Sequence, residues 1–334
     1  VAKARFCKAL QTLVFLNLKL LFYLEESHRL NLSKPLEPNN LTENKPHKSG
    51  YAAIIGKPNA GKSTLMNQIL GTKISITTHK AQTTRHQVVG IFSDEDTQII
   101  FLDTPGVISP RYELQKAMMK TVERARTDAD VILFIFDPTD VHPTDEVIEL
   151  LRSINKPILL VVNKIDTITK EKADEKVSVL KEKLRFKSIH YVSALQGEGI
   201  TELIDDIRSL FMPGPPYYPK EDLSEHPVRF FVSELIREQV YLQFQEEIPY
   251  SCTVDVISYE EDIDIDRISA EIIVNRKSQK GMLIGKGGKA IKNLGIAARA
   301  SIEEFIGKKV FLDLHVKVRE KWREKENWVR NLGY

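Results

Sequence analysis

The stretch GKPNAGKS, residues 56–63, follows directly on the apolar run YAAII (51–55) and leads into TLMNQIL (64–70), which has the pattern of an amphipathic helix. Gly56, Gly61, Lys62 and Ser63 fill the spacing G-x-x-x-x-G-K-[ST]. Chemistry explains the spacing. Glycines let successive backbone N–H groups turn inward around phosphate oxygens, with Asn59, Ala60 and Thr64 completing the cradle, and the helix behind adds its positive N-terminal end. Lys62 is placed to reach the β- and γ-phosphates, and the Ser63 hydroxyl to take a Mg²⁺ position. A glycine turn that merely caps a helix would need neither the preceding strand nor the lysine.

Further pieces lie downstream in the order such a site requires. The apolar strand QIIFL (98–102) ends in Asp103-Thr104-Pro105-Gly106. A carboxylate at that strand end can hold Mg²⁺, and the Gly106 N–H can sense a γ-phosphate and release its loop on hydrolysis. PILLVV (157–162) reads as a buried strand followed by Asn163-Lys164-Ile165-Asp166. A carboxylate at Asp166 accepts both the ring N–H and the exocyclic amine of guanine. Adenine offers no such donor pair, so Asp166 is expected to select the base while Asn163 steadies the loop. A strand at 189–192 ends in Ser193-Ala194-Leu195, whose backbone N–H groups can meet the guanine carbonyl oxygen. The polar connection AQTTRH (81–86) supplies a threonine to complete the metal shell, and Thr84 is preferred to Thr83. With a helical pattern at 114–126 and a strand at 131–136, strands alternate with helices from 51 to 211, the signature of a mainly parallel sheet.

A second glycine-lysine stretch, IGKGGKAIKNLG (284–295), serves another purpose. Its lysine comes too early, and Ala290 stands where a phosphate loop needs Ser or Thr. Gly285, Gly287 and Ala290 fit G-x-G-x-x-A, but the strand before them ends at residue 275 and only one strand follows, which leaves no half to hold a dinucleotide. The surroundings fit a KH domain. A helix at 230–245, alternating strands at 250–258 and 268–275, the loop, an alanine-rich helix through Phe305 and a strand at 310–318 give a Gly-x-x-Gly loop between helices beside a three-stranded sheet. Such a loop grips the backbone of about four unpaired nucleotides. Gly285, Gly287 and Gly288 permit close approach, Lys286 and Lys289 supply charge, and Met282 and Ile284 are candidates for the apolar groove under the bases. Aromatic side chains suited to stacking are sparse here, and Trp322 and Trp328, in the mixed-charge segment 317–334 expected to form a helix, read as packing.

Charge agrees with this placement. The 334 residues carry a net charge of only +2. From Arg276 to Tyr334 there are 15 Lys and Arg against 6 Asp and Glu, a local +9, so the remainder carries −7. A basic end on a near-neutral protein points to a polyanion. Cys7 and Cys252 have no metal-ligand spacing and suit a reducing compartment. Residues 1–48 read as a non-native extension or, in the alternative, an organelle transit peptide. Their apolar run is interrupted by Asn17 and Lys19, too polar for a spanning helix, and a proline-bearing polar stretch follows. PGPPYYPKED (213–222) has four prolines and reads as a semi-rigid connector between a domain at 49–212 and another at 223–334.

The segments GKPNAGKSTLMN, KAQTTRH, DTPGV, NKID and SAL, the last in place of the commoner SAK, resemble the Era family of GTPases, and the resemblance runs from His47 to Tyr334. It implies an α/β P-loop GTPase domain, a mainly parallel sheet with flanking helices, followed by a smaller α+β KH domain. It implies GTP and GDP as ligands with Mg²⁺ held by Ser63, Thr84 and Asp103. Lys62, Thr84, Gly106 and Asn59 would serve hydrolysis, Asn59 by holding a potassium ion. Where many related GTPases carry a water-orienting glutamine this chain has Val107, so slow turnover is expected. The implied partner is the 3′ end of small-subunit ribosomal RNA in the assembling small ribosomal subunit, bound by a monomer in the cytoplasm, with peripheral membrane contact as reported for the family. Two rival readings are an RNA-binding module with a weak regulatory nucleotide site and an NTPase acting on a phosphorylated small molecule. The complete nucleotide motifs oppose the first, and the Gly-x-x-Gly loop opposes the second.

Overall fold

The computed structural model describes residues 46–140 and 145–334, and Pro46–Tyr334 forms one compact unit. Most of the expected extension, and Cys7 with it, lies outside the described residues. Its last residue does not: Lys48 opens strand β1 (Lys48–Gly56), with its N–H on the Asp96 carbonyl at 2.9 Å.

The strand β1 is followed by helix α1 (Lys62–Leu70), strands β2 (Val88–Ser93) and β3 (Thr97–Asp103), and helix α2 (Glu113–Asp128). Then come β4 (Val131–Phe136), α3 (Asp145–Arg152), β5 (Ile158–Val162), α4 (Lys170–Lys183), β6 (Ser188–Tyr191) and α5 (Ile200–Leu210). The sheet order is β2-β3-β1-β4-β5-β6, parallel except for β2, which runs antiparallel to β3. The sequence reading did not anticipate β2 as a strand. Successive residues of β1 explain the layers: Ala52 and Ile54 join the core containing Leu65, Met66, Leu203 and Ile207, while Ala53 and Ile55 join the core containing Val122, Ile148 and Val177. Both faces of a strand this apolar must be covered, so helices lie on both sides.

The proline-rich connector is strapped to the sheet. The Tyr217 and Tyr218 N–H groups donate to Gln98 Oε1 at 2.7 and 2.9 Å, and the Leu223 carbonyl accepts from Ile91 N of edge strand β2 at 2.9 Å. Pairing the edge removes an open template for association.

In the second half, α6 (Val228–Gln243) precedes a helical turn at Ile248–Ser251 and strands β7 (Cys252–Glu260) and β8 (Ile265–Val274). Helices α7 (Lys277–Ile284) and α8 (Lys289–Ile306) flank the glycine loop, and β9 (Lys309–Val318) follows. β7 and β8 are antiparallel, β8 and β9 parallel. Residues 250 and 251 are helical rather than strand, because the Ser251 hydroxyl turns back onto the Glu247 carbonyl at 2.7 Å.

The expected helix at 317–334 is corrected. Lys317 and Val318 continue β9 against Ile273 and Val274, a single turn follows at Trp322–Glu324, and only α9 (Glu326–Asn331) is α-helical. Trp322 is fully buried with Leu114 and Met118 of α2, Ile273 and Val329, and its indole N–H reaches the Ser251 carbonyl at 3.0 Å. It packs, as the sequence suggested. Cys252 is a buried free thiol, and among the described residues no helix is long and apolar enough to cross a membrane.

Candidate nucleotide and RNA sites

At the C-terminal ends of β1, β3, β5 and β6 a cavity of about 470 Å³ is lined by Asn59, Gly61, Lys62, Ser63, Thr64, Thr84, Gly106, Asn163, Lys164, Asp166, Ala194 and Leu195. Sequence segments more than a hundred residues apart thus meet in one cleft, where an open parallel sheet places its ligands. Gly56, Ala60, Asp103 and Ser193 stand behind this lining. The Gly56 carbonyl accepts from Val107 N at 3.0 Å, fixing the loop that carries Gly106.

The phosphate loop closes on a brace. Asn163, 2% exposed, donates from Nδ2 to the Ala60 carbonyl at 2.9 Å and accepts the Ala194 N–H on Oδ1 at 2.9 Å. One amide therefore ties the phosphate loop to the loop after β6. Gly61 makes room for it: φ is +95°, and a Cβ there would lie 2.1 Å from Asn163 Nδ2.

Lys62 is buried, its ammonium donating to the Lys57 carbonyl at 2.8 Å. Burial pulls its pKa down to about 8, against the pull of the Asp103 carboxylate. A phosphate beside it restores the charged form, so above pH 8 binding must take up a proton. We expect nucleotide affinity to fall above that pH, approaching about tenfold per pH unit. Titration of a fluorescent GDP analogue between pH 7 and 9.5 checks this, and a flat profile would contradict it.

The Ser63 hydroxyl donates to Asp103 Oδ2 at 2.6 Å and lies 2.8 Å from the Thr84 hydroxyl. Burial pushes the Asp103 carboxyl up, while the Ser63 hydrogen bond, the Lys62 charge and the Ser75 hydrogen bond oppose it. Its Oδ1 is buried with no partner among the described residues. Two hydroxyls around a carboxylate with an unsatisfied oxygen suit a hard divalent cation. Thr83 also lines the cavity, but its hydroxyl is engaged away from Ser63, donating to the Lys80 carbonyl at 2.7 Å and sharing a hydrogen bond with Thr78. Of the two threonines, Thr84 is the one whose hydroxyl lies beside Ser63.

At the base end, the Ser193 hydroxyl donates to Asp166 Oδ1 at 2.6 Å, and Leu195, 72% exposed, stands at the rim. Lys164 extends to Asp137 Oδ2 at 2.6 Å. Asp137, at the end of β4, was missed by the sequence reading, as was Ser75, whose hydroxyl reaches Asp103 Oδ2 at 3.0 Å. The FIFDPTD stretch (134–140) could have flagged the first, an aspartate closing an apolar strand. Nothing local marks Ser75. Asn59 donates its amide to the His79 carbonyl at 3.1 Å, joining the phosphate loop to the segment that carries Thr84.

In the second half, Gly285, Gly287 and Gly288 all have positive φ, and a Cβ on Gly287 or Gly288 would meet nothing within 4 Å. The loop is open outward, Lys286 and Lys289 are exposed, and Gly288 caps the eighteen-residue helix α8, whose N-terminus favours an anion. A groove of about 330 Å³ between α8 and β9 is lined by Ile291, Gly295, Ile296, Phe311, Leu312 and Leu314, with Lys292 and Arg299. Met282 and Ile284 do not line it. They end α7 beside the glycine loop, with Met282 54% exposed and Ile284 half-buried. Phe311, 52% exposed beside the Arg267 guanidinium, is an aromatic face the sequence reading overlooked.

Residues 51–164 match the family profile described as 50S ribosome-binding GTPase, and residues 247–323 that of the KH domain. GTPase Era of Carboxydothermus hydrogenoformans is 42% identical over 292 residues, covering 86% of this chain and 98% of the relative. The chloroplastic GTPase ERA-like protein of Arabidopsis thaliana is 45% identical, covering 88% of this chain and 70% of its own. The solved structure of Era in complex with MgGDPNP and nucleotides 1506–1542 of 16S ribosomal RNA superimposes with a TM-score of 0.81 at 37% identity, covering 86% of this chain and 99% of that one.

Proposed function

The chain belongs to the Era family of GTPases, and from that membership we propose that it is a GTP-driven switch gripping single-stranded RNA, the 3′ end of small-subunit ribosomal RNA, during assembly of the small ribosomal subunit. Guanine-nucleotide binding and GTP hydrolysis come with the family. The observation that carries the rest is the union, in one compact unit, of the five-motif cleft with an outward-facing Gly-x-x-Gly loop and its groove. The family description naming the large subunit covers the nucleotide half alone, whereas the KH half holds the loop and groove suited to RNA.

In this reading Lys62 holds the β- and γ-phosphates, the Gly106 N–H senses the γ-phosphate, and Asp166 reads guanine with the loop of Ser193, Ala194 and Leu195. Ser63, Thr84 and Asp103 hold magnesium, which neutralises charge on the phosphate oxygens. Val107 is 6% exposed in the apolar core and cannot orient water. Intrinsic turnover is therefore slow, and Asn59 would hold a potassium ion that would supply further positive charge beside the phosphates. The protein acts as a monomer in the cytoplasm or, where residues 1–48 serve as a transit peptide, in an organelle, the setting named for the Arabidopsis relative.

Fluorescence anisotropy with a labelled oligonucleotide copying the ribosomal RNA 3′ end tests the RNA half. The single strand should bind in preference to its duplex. K286E with K289E should weaken binding and flatten the log–log salt dependence by roughly 1.4, about 0.7 per lost phosphate contact. Equal binding of duplex and single strand, or an unchanged salt slope, would contradict the assignment.

A further inference from the structure

Arg85 follows Thr84, yet its guanidinium leaves the nucleotide half. It is 3% exposed and donates to the Cys252 carbonyl at 2.5 Å, the Pro249 carbonyl at 2.7 Å and the Tyr241 hydroxyl at 3.1 Å, all in the KH half. The Tyr241 hydroxyl in turn donates to the Gln82 carbonyl at 3.0 Å. Neighbouring residues are held in the same way. The Lys80 ammonium caps the Tyr241 and Phe244 carbonyls, and the Thr77 N–H reaches Glu238 Oε1 at 3.2 Å. His86 stacks on Tyr334, with ring centroids 4.1 Å apart.

The burial is costly and therefore informative. Glu234, whose carboxylate feels the Arg85 charge, is engaged by Arg237 through Nε at 2.8 Å and through Nη2. Arg85 is left to carbonyl and hydroxyl oxygens. A planar guanidinium can satisfy several acceptors in a fixed fork, which an ammonium cannot. A cation buried this way, adjacent to the residue whose hydroxyl sits 2.8 Å from Ser63, fixes that stretch of backbone relative to α6 and the β7 entrance.

We propose that Arg85 is a positioning residue for GTP hydrolysis: the KH half grips it and so holds Thr84 at the magnesium-facing position. The proposal rests on the reading of Thr84 as a magnesium ligand. It gives the KH half a direct hold on the catalytic cleft, since moving α6 moves Tyr241, and moving the Ile248–Ser251 turn and the start of β7 moves the carbonyls that seat Arg85. The KH half thereby sets how much of the protein has its Thr84 in place, and the apparent metal affinity in the GTP state scales with that fraction.

The test uses the full chain and three variants: Tyr241→Phe, Arg85→Lys and Arg85→Gln. Each is assayed for multiple-turnover GTP hydrolysis as magnesium is varied, for fluorescent GDP-analogue affinity and for thermal midpoint. Tyr241→Phe keeps the ring and removes one hydroxyl, so it guards against a variant that fails to fold. For Arg85→Gln we expect the half-saturating magnesium concentration to rise and kcat to fall about tenfold, with GDP-analogue affinity within about twofold. Tyr241→Phe should shift both in the same direction by less, and Arg85→Lys should fail to restore them. A lowered thermal midpoint with unchanged magnesium dependence and kcat in all three would reduce Arg85 to structural cement and overturn the proposal. The magnesium reading is tested separately by Thr84→Ala. If that variant keeps the wild-type magnesium dependence while the Arg85 variants lose it, Thr84 is not the ligand and Arg85 does not act through it.

Discussion

Gly61→Ala should abolish useful nucleotide binding while leaving the sheet intact. Two costs add. An alanine at φ +95° is strained, and its Cβ would stand 2.1 Å from Asn163 Nδ2, so either the loop or Asn163 must move. Moving Asn163 breaks its hydrogen bonds to the Ala60 carbonyl and the Ala194 N–H, which hold the phosphate loop against the base-binding loops. Strain of about 1–3 kcal/mol and two buried hydrogen bonds at about 1 kcal/mol each give a loss on the order of a hundredfold or more in affinity. Calorimetric titration with GDP measures it, with far-ultraviolet circular dichroism as the control for folding. Affinity within threefold of wild type would show that the Asn163 brace does not organise the site.

Asp166→Asn should exchange the base preferred. Ser193 Oγ accepts the Gln196 N–H at 3.1 Å and donates its own proton to Asp166 Oδ1. In the variant the side-chain carbonyl keeps the Ser193 hydrogen bond, which turns the amide NH₂ toward the base. That donor then faces the exocyclic amine of guanine, another donor. Xanthine carries a carbonyl oxygen in place of the amine and accepts from it. Two charge-assisted hydrogen bonds are lost to guanine, so GTP affinity should fall on the order of 10²–10³-fold and XTP should bind better than GTP. Competition between the two nucleotides for a fluorescent analogue reads the ratio. A variant that still prefers GTP would mean the base is read elsewhere.

The nucleotide site was legible because its chemistry is written in contiguous strings. GKPNAGKS, DTPG, NKID and SAL each close a strand, and a parallel sheet brings strand ends together whatever lies between them. What escaped notice was non-local. Glu234, Arg237 and Glu238 on α6 read as an ordinary charged helix face, yet all three are buried, because Lys73, Thr77 and Arg85 come from a segment some 150 residues earlier. β2 carries Gly90 at its centre and follows a polar connection, so no local pattern announced its pairing with β3. The C-terminal stretch has a helical composition, but Arg319 N still donates to the Val274 carbonyl at 2.9 Å and burial of Trp322 fixes the turn after it. Tertiary context overrode propensity there. The groove between α8 and β9 escaped notice for a related reason: chain order alone does not make Ile291 and Leu314 neighbours.

Lys62, Ser63 and Asp103 sit in the nucleotide half, Thr84 is joined through Arg85 to the KH half, and Leu114 and Met118 of α2, after the Gly106 loop, pack with Trp322 and Val329. Both segments expected to respond to the γ-phosphate therefore touch the half that is proposed to hold RNA. The most direct test is the rate of GTP hydrolysis by the full chain with and without saturating single-stranded RNA copying the 3′ end of small-subunit ribosomal RNA, in potassium buffer. A slow basal rate that rises several-fold with this RNA, and not with its duplex, is the predicted result. A rate indifferent to the RNA while the RNA is demonstrably bound would contradict the coupling of the two halves.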